Sequence, residues 1–207
     1  MVSVSGRILA SMHGAEIELK FPVSDPQAFR RKVDGLAFRL KTERTFEQNT
    51  LYDTPDRTLR NRGQIIRLRT YGNRCTLTHK RLPPANDATA RYKTRIETES
   101  GIDDCDALIE IFAQLGYYPV FQYEKFRTEW DSTTSSGHLV VDETPIGIWA
   151  ELEGDPAWID SILDQLGVNP EDSTTLSYGR IFLNWKAETG SPADNMTFAE
   201  TQLLTTT

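Results

Sequence analysis

Glu16-Ile17-Glu18-Leu19-Lys20-Phe21 alternates charged and apolar residues without a break. On a β-strand successive side chains point to opposite faces, so Glu16, Glu18 and Lys20 share one face while Ile17, Leu19 and Phe21 share the other. Two carboxylates and an ammonium in file can hold a divalent cation beside an anionic ligand. A half-exposed strand with a solvated polar face would read the same way. Repetition of the pattern along the chain decides between the two.

The pattern does repeat. Arg67 and Arg69 flank Leu68, and Thr76, Thr78 and Lys80 share a face opposite Cys75 and Leu77. Lys93, Arg95, Glu97 and Glu99 lie on one side of their segment; Lys125, Arg127 and Glu129 lie on one side of theirs, with Phe126 and Trp130 behind. Val140 shares parity with Asp142, and Glu151 and Glu153 flank Leu152. A plain amphipathic sheet would mix Ser, Thr, Asn and Gln into its wet face, whereas here doublets of charge recur. If such a sheet closes into a barrel, the apolar faces pack under helices outside and the interior becomes a channel lined by both signs of charge. Arginine forks and lysines bind phosphate oxygens, and carboxylates on the opposing wall hold Mg²⁺ or Mn²⁺ that bridges to the same phosphates. A polyphosphate with bound metal satisfies both walls. Cross-channel ion pairing alone is the structural alternative, but buried ion networks are weak stabilisers, and their concentration in one cavity favours function.

The elements that must position these residues are also legible. Asp25-Pro26 caps a helix carrying Phe29, Val33, Leu36 and Leu40; Asp103 or Asp104 caps one carrying Leu108, Ile111, Phe112 and Leu115. Asp155-Pro156 opens a third with Ile159, Ile162, Leu163 and Leu166, stopped by Gly167, and a fourth near 173–186 buries Tyr178, Ile181, Phe182 and Trp185. Residues 1–14 read as a lead-in, 15–186 as a single domain, and 187–207 as a flexible polar tail. Residues 82–90 read as a mobile loop and 132–137 as a turn between strands; Gly63, Gly72, Gly137 and Gly147 read as turn residues.

Composition bounds the function. With 38% hydrophobic and 26% charged residues the chain is an ordinary globular protein able to bury a sizeable core. A net charge of −7 and pI near 5.1 argue against a nucleic-acid partner, while leaving room for basic strips inside one cleft. Cys75 and Cys105 form neither a disulfide framework nor a metal pair and are expected to be free thiols in a reducing cytoplasm. No apolar run approaches the roughly 18 residues of a membrane span, and the N-terminal segment lacks the apolar core of a secretion signal. A cytoplasmic location without a membrane partner is the expectation. His13, His79 and His138 show no zinc-site spacing; parity turns His79 away from Lys80 and leaves His138 at a strand end.

Taken together, the residues resemble the CYTH superfamily, the triphosphate tunnel metalloenzymes. Glu16-Ile17-Glu18-Leu19-Lys20 is similar to its ExExK signature, Tyr52-Asp53-Thr54-Pro55 to its YxDTP element, and Leu59 with Arg67-Leu68-Arg69 to its L…LRxR strand. Leu77-Thr78-His79-Lys80 resembles its LTxK strand, and Arg95 to Glu99, Lys125-Phe126-Arg127, Asp142, Glu151-Leu152-Glu153 and Ser177-Tyr178 follow in the family's order over roughly residues 15–186. The resemblance implies an α+β fold: a closed eight-stranded antiparallel β-barrel with a charged interior, covered outside by helices. It implies metal binding by Glu16, Glu18, Asp142, Glu151 and Glu153, and triphosphate binding by Lys20, Arg67, Arg69, Lys80, Lys125 and Arg127, with Lys93 and Arg95 added by their inward parity. Glu18, Arg69, Arg127 and Glu153 are the expected catalytic residues. The roles of Glu97, Glu99 and Lys186 stay open, and dimers within the family imply a homodimer.

The leading expectation is Mg²⁺- or Mn²⁺-dependent hydrolysis of tripolyphosphate or a related organic triphosphate. One metal would bridge phosphate oxygens and a second would help orient water; the basic groups would stabilise charge on the transferring phosphoryl group. The rival is a class IV adenylyl cyclase, in which the ribose 3′-oxygen of ATP attacks the α-phosphorus and pyrophosphate leaves. A thiamine triphosphatase and a non-catalytic polyphosphate- or nucleotide-binding module are the further alternatives.

Overall fold

Residues 14–84 and 91–202 are described by the structure, a computed structural model. The expectations for residues 1–13, for His13 and for the centre of the loop at 85–90 lie outside the described residues, as do residues 203–207.

Eight strands form the barrel: β1 (Gly14–Pro22), β2 (Phe38–Asp53), β3 (Ile65–Tyr71), β4 (Arg74–Arg81), β5 (Lys93–Ile102), β6 (Tyr118–Ser132), β7 (His138–Thr144) and β8 (Gly147–Glu153). They close in the order β1-β5-β4-β3-β2-β6-β7-β8, every neighbouring pair antiparallel. Closure removes the free sheet edges and gives each strand one inward and one outward face. The outward apolar residues Leu19, Phe21, Leu139, Ala150 and Leu152 are at most 1% exposed and pack under α1 (Pro26–Asp34) and α4 (Pro156–Leu166), which contribute Val33, Ile159, Leu163 and Leu166.

The helix starts follow from local chemistry. Asp25 accepts the Ala28 N–H at 2.9 Å, and Asp155 accepts the Ala157 N–H at 2.9 Å, each with proline in the first turn. Asp104 caps α3 (Cys105–Gln114) through the Ala107 N–H. Ser177 caps α5 (Tyr178–Thr189) through Arg180 N–H. Gly167 ends α4 with φ 66°, where a side chain would be strained. Among the described residues, no helix is long and apolar enough to cross a membrane.

Three sequence expectations are corrected. The first helix ends at Asp34, and Leu40 lies in β2, because pairing with β6 from Phe38↔Ser132 to Asp53↔Tyr118 draws the whole segment into the barrel. The tail read as frayed from Ala187 is folded through α6 (Phe198–Gln202): Met196 is fully buried beside Tyr123, Ile181 and Phe182, and it bridges to Tyr123. Cys75 and Cys105 are not free thiols but a disulfide, their Cα atoms 6.3 Å apart, within the range a disulfide spans. Cys75 does face outward as expected, and α3 docks on that face through Phe112, Leu68 and Leu77, which brings Cys105 onto it. Closing a loop of 30 residues stabilises by on the order of 3 to 4 kcal/mol. Reduction is expected to lower the melting temperature by roughly 10 °C; a reductant-insensitive melt, or two alkylatable thiols in unreduced protein, would contradict the bond.

The Ser132–Gly137 turn depends on the absence of a side chain. A Cβ on Gly137 would lie 2.5 Å from the Trp158 ring of α4, which is itself packed edge-on against Phe38 at 6.1 Å. Gly137→Ala is expected to cost about 2 kcal/mol through overpacking, read as a lowered melting temperature that Trp158→Leu in the same protein partly restores.

Candidate active site

Residues of all eight strands enclose a cavity of about 300 Å³, with the Tyr178 end of α5 against it. Its wall divides into three charged groups.

The first is a neutralised block. The Arg127 guanidinium donates twice to Asp142, at 2.7 Å from Nε to Oδ1 and 2.7 Å from Nη2 to Oδ2. Lys125 Nζ donates to Asp142 Oδ2 at 2.8 Å and lies 3.3 Å from Glu47 Oε1, and Tyr178 Oη donates to Asp142 Oδ2 at 2.7 Å. Glu151 pairs with Lys20 and accepts from Arg127 at 3.3 Å. Burial alone would raise the Glu151 pKa, but Lys20, Arg127 and Lys125 outweigh it and hold the carboxyl well below its ordinary range. Glu47 follows the same balance, burial being overcome by Lys125, Arg127, Arg67 and Arg69. Burial and the charges of Asp142 and Glu151 push the Tyr178 phenol well up, so its proton stays on Oη. The Tyr178 ring underlies both lysines, with Lys20 Nζ 4.4 Å and Lys125 Nζ 4.9 Å from its centroid.

The second group is under-satisfied. Arg67 donates to Thr78 Oγ1 at 3.2 Å and to Glu99 at 3.4 Å, and Arg69 lies 3.6 Å from the same Glu99 oxygen. The Nε atoms of both arginines are buried without a hydrogen-bond partner among the described residues. A buried N–H donor left unpaired costs about 1–3 kcal/mol, which an anion entering the cavity would recover.

The third group gathers carboxylates. Glu18 and Glu153 sit directly opposite one another in the β1–β8 register, a like-charge pairing that is unfavourable by itself. Oxygens of Glu16, Glu18 and Glu153 lie within 4.8 Å of one another. Lys93 pairs with Glu18, and Lys80 with Glu97 and, at 3.4 Å, with Glu16. Burial pushes the Glu153 carboxyl up to about 8, reinforced by Glu16 and Glu151 against the pull of Arg127. Burial and a hydrogen bond shared with Glu16 push Glu97 up to about 7, with Lys80 opposing. Burial also acts to raise Glu16, but that hydrogen bond and the Lys80 charge hold it at about 2. Three converging oxygen donors suit a hard divalent cation such as Mg²⁺ or Mn²⁺.

Of the expected metal ligands, then, Glu16, Glu18 and Glu153 come together, while Asp142 and Glu151 stand among the cations. The expected phosphate-binding residues Lys20, Arg67, Arg69, Lys80, Lys93, Lys125 and Arg127 all line the cavity. Arg95, opposite Glu16 in register, instead donates to the Thr94 carbonyl at 3.0 Å and lines a space outside the cavity. His79 faces out to Gln64, and His138 is held by Asp131 at 2.6 Å at the cavity's edge. Glu47 is the site residue that sequence reasoning missed; its parity with Asn49 and Leu51 was the available signal.

The sequence profile of the CYTH domain matches residues 14–156. The chain belongs to the CYTH family. Within that family it is 25% identical over 138 residues to the putative adenylate cyclase of Methanocaldococcus jannaschii, a match covering 67% of this chain and 75% of that one. A putative adenylate cyclase of Vibrio parahaemolyticus superposes with a TM-score of 0.67 at 22% identity, covering 83% and 99% of the two chains. A Hippeastrum protein described as a putative adenylyl cyclase with dominant triphosphatase activity superposes at 0.59 with 18% identity, covering 83% and 95%. At these identities the structural likenesses establish that the CYTH barrel is shared.

Proposed function

We propose that this CYTH protein is a divalent-metal-dependent triphosphatase acting on tripolyphosphate or a related organic triphosphate within the barrel. The observation that carries the reading is the polarised cavity wall: converging carboxylates of Glu16, Glu18 and Glu153 on one side, and the unpartnered buried Nε atoms of Arg67 and Arg69 on another.

Glu16, Glu18 and Glu153 would hold Mg²⁺ or Mn²⁺, which supplies charge neutralisation on phosphate oxygens. Arg67 and Arg69 bind the phosphates through guanidinium forks that match phosphate oxygens in geometry. Asp142, paired with Lys125 and Arg127, fixes their approach to the substrate, and the Tyr178 hydroxyl locks Asp142 in turn. Lys20, Lys80 and Lys93 add positive charge along the chain of phosphates. In hydrolysis a water oxygen bonds to the terminal phosphorus, the adjoining bridging P–O bond breaks, the bridging oxygen stays on the departing diphosphate, and a proton passes to solvent. Of the serine, cysteine and histidine residues among the described residues, the cavity wall includes Ser177, committed to capping α5 through the Arg180 N–H, and His138, engaged with Asp131.

The cyclase names of the relatives support a second reading, ATP cyclisation, whereas the description of the Hippeastrum protein supports hydrolysis. Incubation of tripolyphosphate, ATP and thiamine triphosphate with Mg²⁺ or Mn²⁺, with separation of orthophosphate, ADP, pyrophosphate and cyclic AMP, tests the proposal. Orthophosphate release is the expected result; cyclic AMP with stoichiometric pyrophosphate would replace it with the cyclase reading.

A further inference from the structure

Glu47 is the one member of the neutralised block that neither lines the cavity nor completes its own bonding among the described residues. Its side chain is fully buried. Oε1 accepts from Asn49 Nδ2 at 2.8 Å and lies 3.3 Å from Lys125 Nζ. Oε2 stands 3.8 Å from Arg127 Nε and has no hydrogen-bond partner among the described residues. Asp142, which grips the same two cations, accepts from Lys125, twice from Arg127, and from Tyr178. Asp142 therefore fixes the geometry of Lys125 and Arg127, and the main contribution of Glu47 is charge.

Another buried carboxylate of β2 shows what a structural assignment looks like. Asp53 accepts from the N–H groups of Thr54 at 2.8 Å, Leu59 at 2.9 Å and Arg60 at 3.0 Å, and so builds the start of α2 (Thr58–Asn61). Glu47 accepts no backbone N–H among the described residues; its surroundings are cations. Its strand runs between β3 and β6, with Lys125 directly opposite it on β6. Burial acts against its charge, but Lys125 and Arg127 on one side and Arg67 and Arg69 of β3 on the other keep it ionised. A buried acceptor left unpaired destabilises a fold, and exceptions of this kind call for an explanation.

The explanation lies in what else those four cations bind. A triphosphate and its products are polyanions, and they compete with Glu47 for Lys125, Arg127, Arg67 and Arg69. With Glu47 in place, part of the positive field is neutralised inside the protein, so phosphate is held less tightly than four unopposed cations would hold it. Tighter binding shared by substrate and transition state lowers KM without raising kcat, and tighter binding of product delays its release, a step that limits kcat in many enzymes.

We infer that Glu47 is a positioning residue that works as an internal counter-anion: it holds the charge of Lys125 and Arg127 between turnovers and weakens the grip of all four cations on the departing phosphates. The inference rests on the triphosphatase reading and names the residue that sets the affinity of that site.

The test is Glu47→Gln, which keeps the shape of the side chain and a carbonyl acceptor while removing the charge. Under saturating Mg²⁺, the KM for tripolyphosphate and the inhibition constant for pyrophosphate are each expected to fall about tenfold, equal to about 1.4 kcal/mol. The kcat should fall by roughly tenfold as product release slows. Loss of a merely structural group would leave both constants unchanged or raise them. A KM or an inhibition constant that stays or rises, or an undiminished kcat, therefore overturns the inference. Glu47→Asp retains the charge and should return KM to within about threefold of wild type; a KM as low as that of Glu47→Gln counts against it. If Glu47→Gln is unfolded alone, tripolyphosphate should restore its cooperative melt by supplying the missing anion, and a chain that stays unfolded with tripolyphosphate overturns the inference. Should neither wild type nor variant turn tripolyphosphate over, the triphosphatase reading fails by itself, and titration calorimetry with tripolyphosphate decides Glu47 separately. There, tighter binding to Glu47→Gln supports the counter-anion, and equal or weaker binding overturns it.

Discussion

Arg69→Ala is expected to lower kcat/KM for triphosphate hydrolysis by roughly 10² to 10³-fold, the loss seen when one pre-oriented donor to a developing oxyanion is removed, while leaving the fold in place. Arg69 is the informative position because its structural obligations are few. Its one ion-pair partner among the described residues is Glu99, 3.6 Å away and 41% exposed at the side chain, so that carboxylate can turn to water when the guanidinium is gone. An ion pair of this kind contributes at most about 1 kcal/mol, and the melting temperature should move by no more than a few degrees. Arg127 would be the wrong choice. It is bonded to Asp142 and Glu151 and stands 3.8 Å from Glu47, and its removal would strand buried carboxylates at a cost of several kcal/mol. Lost activity there would not distinguish catalysis from unfolding. Arg69→Lys supplies the complementary measurement: it keeps the charge but not the fork, so recovery should be partial. A folded Arg69→Ala protein with wild-type turnover would remove this arginine, and with it the unpartnered Nε, from the argument for a phosphate site.

The difference between Arg69 and Arg127 also shows what the sequence could reveal and what it could not. Parity along a strand says which residues face inward, and it placed Arg67, Arg69, Lys125, Arg127, Glu151 and Glu153 on the inner wall. It does not say which strand lies alongside. Asp142, Glu151 and Glu153 look equivalent as inward carboxylates, yet the register sets Asp142 opposite Arg127, Glu151 opposite Lys20 and Glu153 opposite Glu18. Two of them are thereby satisfied by cations and one is forced against its own kind. Glu47 stayed hidden for a related reason. Register shifts between Leu40 and Thr45 break the alternation of β2, and the preceding apolar spacing mimicked a longer first helix. The disulfide and the docked tail are tertiary facts of the same sort: nothing local joins Cys75 to Cys105, and Met196 is one apolar residue in a polar run until β6 supplies its partner.

The like-charge contact at Glu153 leads to a further expected result: metal-free protein should lose stability as pH rises from about 5 to about 8, and Mg²⁺ should restore it progressively over that same interval. The sign follows from proton counting. Glu153 has an ordinary value of 4.5 and is pushed up to about 8 by burial, Glu16 and Glu151; Glu97 moves the same way, to about 7. Between the two values the folded state holds protons that the unfolded chain has released, so stability falls with pH through that range. Glu16, held at about 2, is already ionised in both states and adds no slope there. A divalent cation reverses the balance because its ligands must be deprotonated: binding expels the proton below about pH 8, and affinity climbs toward that pH. The Mg²⁺-induced rise in melting temperature should therefore be larger at about pH 8 than at about pH 6. Glu153→Gln removes both the proton and the ligand charge. It should make the pH dependence of the metal-free melt shallower, leaving the part due to Glu97, abolish most of the Mg²⁺ response, and reduce triphosphate hydrolysis by roughly 10²-fold or more, since the metal's share of charge stabilisation amounts to several kcal/mol. Retention of the full Mg²⁺ response in Glu153→Gln would show that the cation binds elsewhere. A melt of wild-type protein that stabilises with rising pH across this window would show that the three carboxylates do not converge as described.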